Sequence, residues 1–234
     1  MNTNKEKNKL LLNNPLWIVD VGASGGIHPK WRSFYPFYNG IMFEPNLREY
    51  EKLKANNEKN LTILNVALSN SISNTDFYLC RKNEVSSVYL PNFDILDKFP
   101  NSERFEVLKT IKLQTDTLNH QLKKNNFSEV DFIKIDTQGS ELNILNGATN
   151  YLEKLIGLEI EVSFLELYKD QPLFSQIDQF VKNYGFELFD LKRYYWKRKL
   201  SEDTGIQKGQ LVFGDALYLR TPEGLLSINN ITLL

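Results

Sequence analysis

The sequence predicts an α/β fold on a mostly parallel sheet with helices on both faces. Three observations carry it. Short apolar runs alternate with amphipathic stretches along the chain; the first run ends in Asp20 and opens into the glycine turn DVGASGG; and the second ends in an acid, Glu44. A chain of 234 residues can bury one substantial core. A single domain is expected over 15–234, behind a polar, flexible lead at 1–14.

Each element follows from its pattern. Trp17 to Val21 is the first strand, Ile41 to Glu44 the second and Leu61 to Ala67 the third. Asn46 caps a helix that places Leu47, Tyr50 and Leu53 on one side. Residues 71–115 break the rhythm, with Pro91 and Pro100 interrupting any long element, and read as an insertion or lid. Val130 to Ile135 and Leu155 to Ile160 are the next strands, joined by a helix using Leu142, Leu145, Ala148 and Leu152. Ile177, Phe180, Val181 and Tyr184 recur at helical spacing over Ser175 to Tyr184, with Ser175 and Asp178 as its cap and Gly185 as its stop. Phe186 to Leu191 and Gln210 to Arg220 close the fold as an antiparallel hairpin. The run KRYYWKRK, Lys192 to Lys199, is read as the solvated loop between them.

Composition narrows the function classes. A net charge of -1, with 41% apolar and 24% charged residues, gives no global attraction to nucleic acid or anionic membranes. No nucleic-acid partner is expected. Cys80 is the lone cysteine and there are two histidines, so neither an internal disulfide nor a zinc site of nitrogen and sulfur ligands is expected. Leu10 to Leu12 is too short for a signal-peptide core, and no later run reaches the length of a membrane span. These features predict a cytoplasmic protein, and they leave a homo-oligomer open.

The glycine turn carries the first chemistry. Asp20 ends a strand at the ligand edge, Gly22 permits a turn that side chains would obstruct, and Gly26 lets the next segment approach a ligand closely. The spacing is D-x-G-x-S-x-G. It differs from the dinucleotide pattern G-x-G-x-x-G, and no Lys-Ser/Thr pair marks a phosphate loop, which argues against NAD and ATP. Glu44, 24 residues after Asp20, can accept hydrogen bonds from both hydroxyls of a ribose. An adenosine-bearing cofactor fits this pair.

A second acidic group follows. Asp136 ends an apolar strand, and Glu141 falls in the first helical turn, where the dipole stabilises a carboxylate. In LEIEV, alternation sends Glu159 and Glu161 to one side of the sheet. Asp136 and Glu161 can therefore converge on one mouth, as a general base and cofactor ligand or as oxygen donors to a divalent metal; no metal is assigned. His28, directly after the glycine turn, is a third proton acceptor. Ser87, Tyr89 and Asn92 in the lid are candidates for acceptor hydroxyls, and Arg193 or Arg198 for an anion on the substrate.

Taken together, DVGASGG at Asp20, FEPN at Phe43, NVALS at Asn65, DFIKIDTQGSELNIL at Asp131, LEIEVSF at Leu158 and GDALYLR at Gly214 resemble the FkbM family of S-adenosylmethionine-dependent methyltransferases. The resemblance runs from about Trp17 to Arg220. It implies a Rossmann-like class I fold, with a mostly parallel seven-stranded sheet and a terminal antiparallel hairpin. It places Asp20, Gly22, Ala23, Ser24 and Gly26 beside the methionine moiety, Glu44 and Pro45 at the ribose, Asn65 to Ala67 near the adenine, and Asp136 beside the cofactor. Ser24 departs from the Asn that members often carry, and both side chains hydrogen-bond. The activity implied is O-methylation of a hydroxyl on a sugar, nucleotide sugar or glycan. The alternatives are a small-molecule natural-product methyltransferase and a non-catalytic S-adenosylmethionine-binding scaffold.

Overall fold

The computed structural model describes residues 9–56, 58–201 and 208–227. Of the expected lead, 1–8 lie outside the described residues, and 9–13 are helical, with Asn14 N donating to the Leu10 carbonyl at 2.9 Å.

Among the described residues ten strands form two sheets: β1 (Leu16–Val21), β2 (Tyr38–Phe43), β3 (Leu61–Leu64), β4 (Ala67–Leu68), β5 (Ser73–Cys80), β6 (Val107–Asp116), β7 (Phe132–Ile135), β8 (Gly157–Ser163), β9 (Phe186–Trp196) and β10 (Gln210–Arg220). Seven of them build the main sheet in the order β3-β2-β1-β7-β8-β10-β9, and β4-β6-β5 form the second sheet. The β3-β2-β1-β7-β8 pairs are parallel, while β10 runs against both β8 and β9. The expected α/β fold with a terminal antiparallel hairpin is what the chain adopts.

Burial explains the order. Val19, Val21, Ile133, Ile135, Leu158 and Ile160 are essentially inaccessible and join Leu118, Leu145, Ile177 and Val181 from the helices in the principal core. On the opposite face of β1 and β2, Ile18, Tyr38 and Met42 pack with Ile27 and Leu53 in a smaller core. Strands covered on both sides read as continuous apolar runs, which is why β1 and β2 are legible. That second face changes character across β7, β8, β10 and β9: Lys134, Glu159, Glu161, Asp215 and Lys192 replace the apolar residues and line a cavity.

Several boundaries move for physical reasons. The third strand stops at Leu64, and Ala67 crosses to the second sheet, where it pairs with Thr115. The expected helix over Leu142 to Leu152 is two, Glu141–Asn146 and Thr149–Leu152. They divide at Gly147, where a Cβ would stand 2.2 Å from the Ser69 carbonyl oxygen. The helix Phe174–Lys182 is capped by Gln176, whose Oε1 accepts from Leu173 N at 2.9 Å, rather than by Ser175 and Asp178. Asn46 caps Leu47–Ala55 through bonds from Arg48 N and Glu49 N, and Leu53 is buried as expected, but Leu47 is 61% exposed. Lys192 to Trp196 belong to β9, not to a loop, because they pair residue by residue with Gln210 to Asp215 of β10. Residues 71–115 carry β5 and β6, paired antiparallel across the break.

Candidate active site

The C-terminal ends of β1, β2 and β7 form one edge. Gly22 has φ +82°, and a Cβ there would stand 2.0 Å from the Asp136 carbonyl oxygen, so only glycine lets the β1 turn pass so close to β7. Gly22 N and Ala23 N donate to the Phe43 carbonyl, and Asp136 N donates to that of Val21. Gly25 has φ +80° with nothing within 4 Å of where a Cβ would sit, so bare backbone faces open space beside the exposed Ser24. Gly26 is a third left-handed glycine, at φ +91°.

Glu44 is nearly buried, and its Oε1 accepts from Asn46 N at 2.8 Å. Burial raises its pKa, against the Asn46 N–H that favours the carboxylate. No protein partner is recorded for Oε2 among the described residues, which leaves that oxygen for a hydroxyl donor. The Asn65 Nδ2 donates to the carbonyls of Glu44 and Pro45 at 2.8 and 3.0 Å and so holds the end of β2. Ala67 is buried in β4. The bare glycine turn, the space above it and the half-satisfied Glu44 fit an adenosine-bearing donor.

Asp20 is buried at the end of β1, and Lys134 from β7 lies 3.5 Å from it and 3.6 Å from Asp136. Burial raises the Asp20 pKa and Lys134 opposes the rise. Burial also works against the lysine's charge, but Asp20 and Asp136 outweigh it, so its pKa rises. Removing one partner of a buried pair leaves the others uncompensated. Lys134→Met is expected to cost about 3 kcal/mol at pH 7, with the loss fading in acid as Asp20, whose pKa is raised, protonates; thermal unfolding at pH 7 and pH 4 checks both.

Asp136, Glu161 and His28 line one cavity of about 200 Å³ with Lys134, Lys192 and Asp215. Gln138 joins the two acids: its Nε2 donates to Glu161 Oε1 at 2.9 Å and lies 3.4 Å from Asp136 Oδ1. Gln138 adopts φ +59°, a left-handed conformation that costs a non-glycine residue energy and clusters at functional sites. Burial pushes Glu161 well above the usual carboxylate range, and the charges of Asp136, Glu141 and Asp215 add to the rise. The His28 pKa is lowered by burial and by Lys30, Lys134 and Lys192, which keeps the imidazole neutral. Its Nδ1 accepts from Lys30 N at 3.3 Å. Glu141 is buried and spent on the loop, accepting from Thr137 N, Thr137 Oγ1 and Gly139 N. Among the described residues no group of three or more His, Cys, Asp and Glu is placed to hold a metal ion.

A second cavity, of about 230 Å³, meets the first at Glu161 and Phe213. Gln138, Tyr168 and Trp196 line it with Arg104 and Phe105 from the turn before β6. The structure does not bring the four expected substrate residues to either cavity. Ser87 is fully buried, with its Oγ donating to the Gln138 carbonyl at 2.6 Å, so it braces the strained loop. The Tyr89 hydroxyl accepts from Asn143 Nδ2 at 2.9 Å, and its ring packs against Gly139. Asn92 is buried beside Glu166. Arg193 pairs with Gly214 and alternates to the face of β9 opposite Lys192 and Tyr194.

Lys134, Gln138, Tyr168 and Arg104 were not anticipated. Lys134 had a signal, a charge inside the apolar run FIKI beside Asp136; the other three sit in irregular segments with no period to read.

A main sheet of this order with β10 reversed, a glycine turn after β1 and an acid after β2 defines a Rossmann-like class I methyltransferase. The model of the Methyltransferase FkbM domain matches residues 20–188, and the chain belongs to that family. Its methyl donor is S-adenosylmethionine. No curated protein matches the sequence. Solved structures similar to it include precorrin-6y C5,15-methyltransferase from Geobacter metallireducens, at 10% identity over 92% of this chain and 89% of that one, with a TM-score of 0.45. TrmK of M. capricolum, in complex with S-adenosylhomocysteine, is 9% identical over 92% and 68%, with a TM-score of 0.41. TYW2 of M. jannaschii, in complex with S-adenosylmethionine, is 14% identical over 93% and 76%, with a TM-score of 0.36. Among the described residues no helix is long and apolar enough to cross a membrane.

Proposed function

We propose that the chain transfers a methyl group to a hydroxyl of a sugar, nucleotide sugar or glycan, with Glu161 as general base. The observation that carries this reading is that Glu161 stands where the cofactor-side cavity and the cavity beyond it meet. When bound, S-adenosylmethionine supplies a methyl already activated on a sulfonium. The Gly22 to Gly26 turn, with Asp20 and Asp136, holds the methionine end, and Glu44 takes the ribose. The protein's remaining work is to orient the acceptor and exclude water. Gln138 fixes the Glu161 carboxylate through its 2.9 Å bond, and Tyr168 in turn holds the Gln138 side chain, its hydroxyl 3.2 Å from Oε1. A carboxylate of raised pKa is matched to accepting a hydroxyl proton near neutral pH. Asp136 stays on the cofactor side with Lys134, and the neutral His28 faces the same space.

The aromatic residues Phe105, Tyr168, Trp196 and Phe213 in the second cavity favour a second reading, a small-molecule natural product as acceptor. A buried lone thiol in Cys80, raised to about 11, is inert and suits a reducing cytoplasm. Incubation with labelled S-adenosylmethionine and a panel of sugars, nucleotide sugars, glycans and aromatic metabolites, read by mass spectrometry, separates the readings. Label on a sugar supports the first, label confined to aromatic metabolites supports the second, and donor binding without transfer identifies a scaffold.

Glu44→Ala is expected to weaken S-adenosylmethionine binding by about 1–3 kcal/mol through loss of charge-assisted ribose bonds. Calorimetry checks it; unchanged affinity removes Glu44 from the ribose.

A further inference from the structure

Arg104 stands out among the polar groups not used above. It lies in a short 3-10 turn, Ser102–Phe105, and its guanidinium is 4.6 Å from the centroid of Trp196 and 5.1 Å from that of Phe105. Its Nε is shielded from solvent and has no hydrogen-bond partner. No carboxylate among the described residues forms an ion pair with it. A buried donor without a partner costs about 1–3 kcal/mol, more for a charged group, and native structures rarely tolerate one without a use. The aromatic contacts hold the guanidinium plane, and the shielded Nε leaves the terminal nitrogens as the donors for a ligand.

Arg104 lines the same cavity as Glu161, at about 230 Å³ smaller than the ~300–1,000 Å³ of sites that enclose drug-sized ligands. A single ring with its substituents fills it. A fork of guanidinium donors matches a carboxylate or phosphate in two parallel hydrogen bonds.

We propose that Arg104 is a specificity-determining residue that selects an acceptor bearing a carboxylate or phosphate on the ring presented to Glu161. The inference rests on the second cavity being the acceptor site. It replaces Arg193 as the anion contact with a residue on the cavity wall. Glu84, also on that wall, is exposed.

The test is calorimetry on the full chain saturated with S-adenosylhomocysteine, using two matched probe sets. The sugar set is glucuronate and glucose 6-phosphate against methyl glucoside; the other is benzoate against benzamide. Anionic probes are expected to bind at least about tenfold tighter than their neutral partners, and Arg104→Met to remove the preference with S-adenosylhomocysteine affinity unchanged. Which sugar anion binds more tightly identifies the group as carboxylate or phosphate. Equal binding of charged and neutral probes in both sets overturns the proposal, as does a preference that survives Arg104→Met or a failure of every probe to bind. The wild-type comparison alone keeps it falsifiable if the variant does not fold. Preference confined to benzoate keeps the anion site and overturns the sugar acceptor, so the two fail separately.

Discussion

With Glu161 as the proposed base, Glu161→Gln is expected to lower methyl transfer by about 10²- to 10⁴-fold while the affinity for S-adenosylmethionine stays as in the wild type. Glutamine keeps an Oε1 to accept from Gln138 Nε2, so the wall between the two cavities stands and only the proton acceptor is lost. The wild-type rate is expected to climb with pH, because a base works only when ionised, and the variant to lose that limb. Stability moves the other way. Burial holds Glu161 above its ordinary value of 4.5, so the folded chain keeps a proton that the unfolded chain releases. The stabilisation from this group is full below about pH 4.5 and is lost as pH rises through the folded-state pKa. Glutamine cannot ionise, so the variant melts higher than the wild type at pH 8 and not at pH 4, each kcal/mol recovered being worth about 2–4 °C in a chain of this size. Turnover equal to wild type, with the pH limb intact, would pass the proton to His28 or Asp136.

Gly22→Ala is expected to be the most damaging single methyl group in the molecule. The added Cβ meets the Asp136 carbonyl oxygen at 2.0 Å, and φ +82° is strained for any residue with a side chain. Strain and displacement together cost about 2–4 kcal/mol. Because the contact lies between the ends of β1 and β7, the same shift moves Asp20 and Asp136 apart, and donor binding falls with stability. Thermal unfolding with and without S-adenosylhomocysteine reads both effects. Gly25→Ala is the control, since nothing lies within 4 Å of a Cβ there and only the φ cost remains.

The contrast between these two glycines shows how far the sequence carries. Strands buried on both faces announce themselves by composition, so β1 and β2, the turn between Asp20 and Gly26 and the acid at Glu44 were legible from local pattern. Asn46 was legible as a cap because its chemistry acts within three residues. Long-range contacts were not. Gly147 divides a helix because Ser69, far away in the chain, approaches it. Ser87 looked like an available hydroxyl but is consumed by the Gln138 carbonyl 51 residues away. The run KRYYWKRK read as a loop because its charges hide a strand whose Lys192 and Tyr194 face the cavity while Arg193 faces away. Gln138 takes a backbone conformation usually left to glycine, and only its partners on three sides explain it.

The site therefore divides into a half written locally and a half assembled by the fold. Donor binding belongs to the first, at the ends of β1 and β2. On the proposed reading acceptor choice belongs to the second, at the cavity lined by Glu161, Trp196, Phe213 and Arg104. The most direct test of the central claim is to supply methyl-labelled S-adenosylmethionine with the acceptor from the mass-spectrometric panel and locate the label by NMR. The account predicts the methyl on a ring hydroxyl oxygen of a sugar; label on nitrogen or carbon, or none on any acceptor, would contradict it.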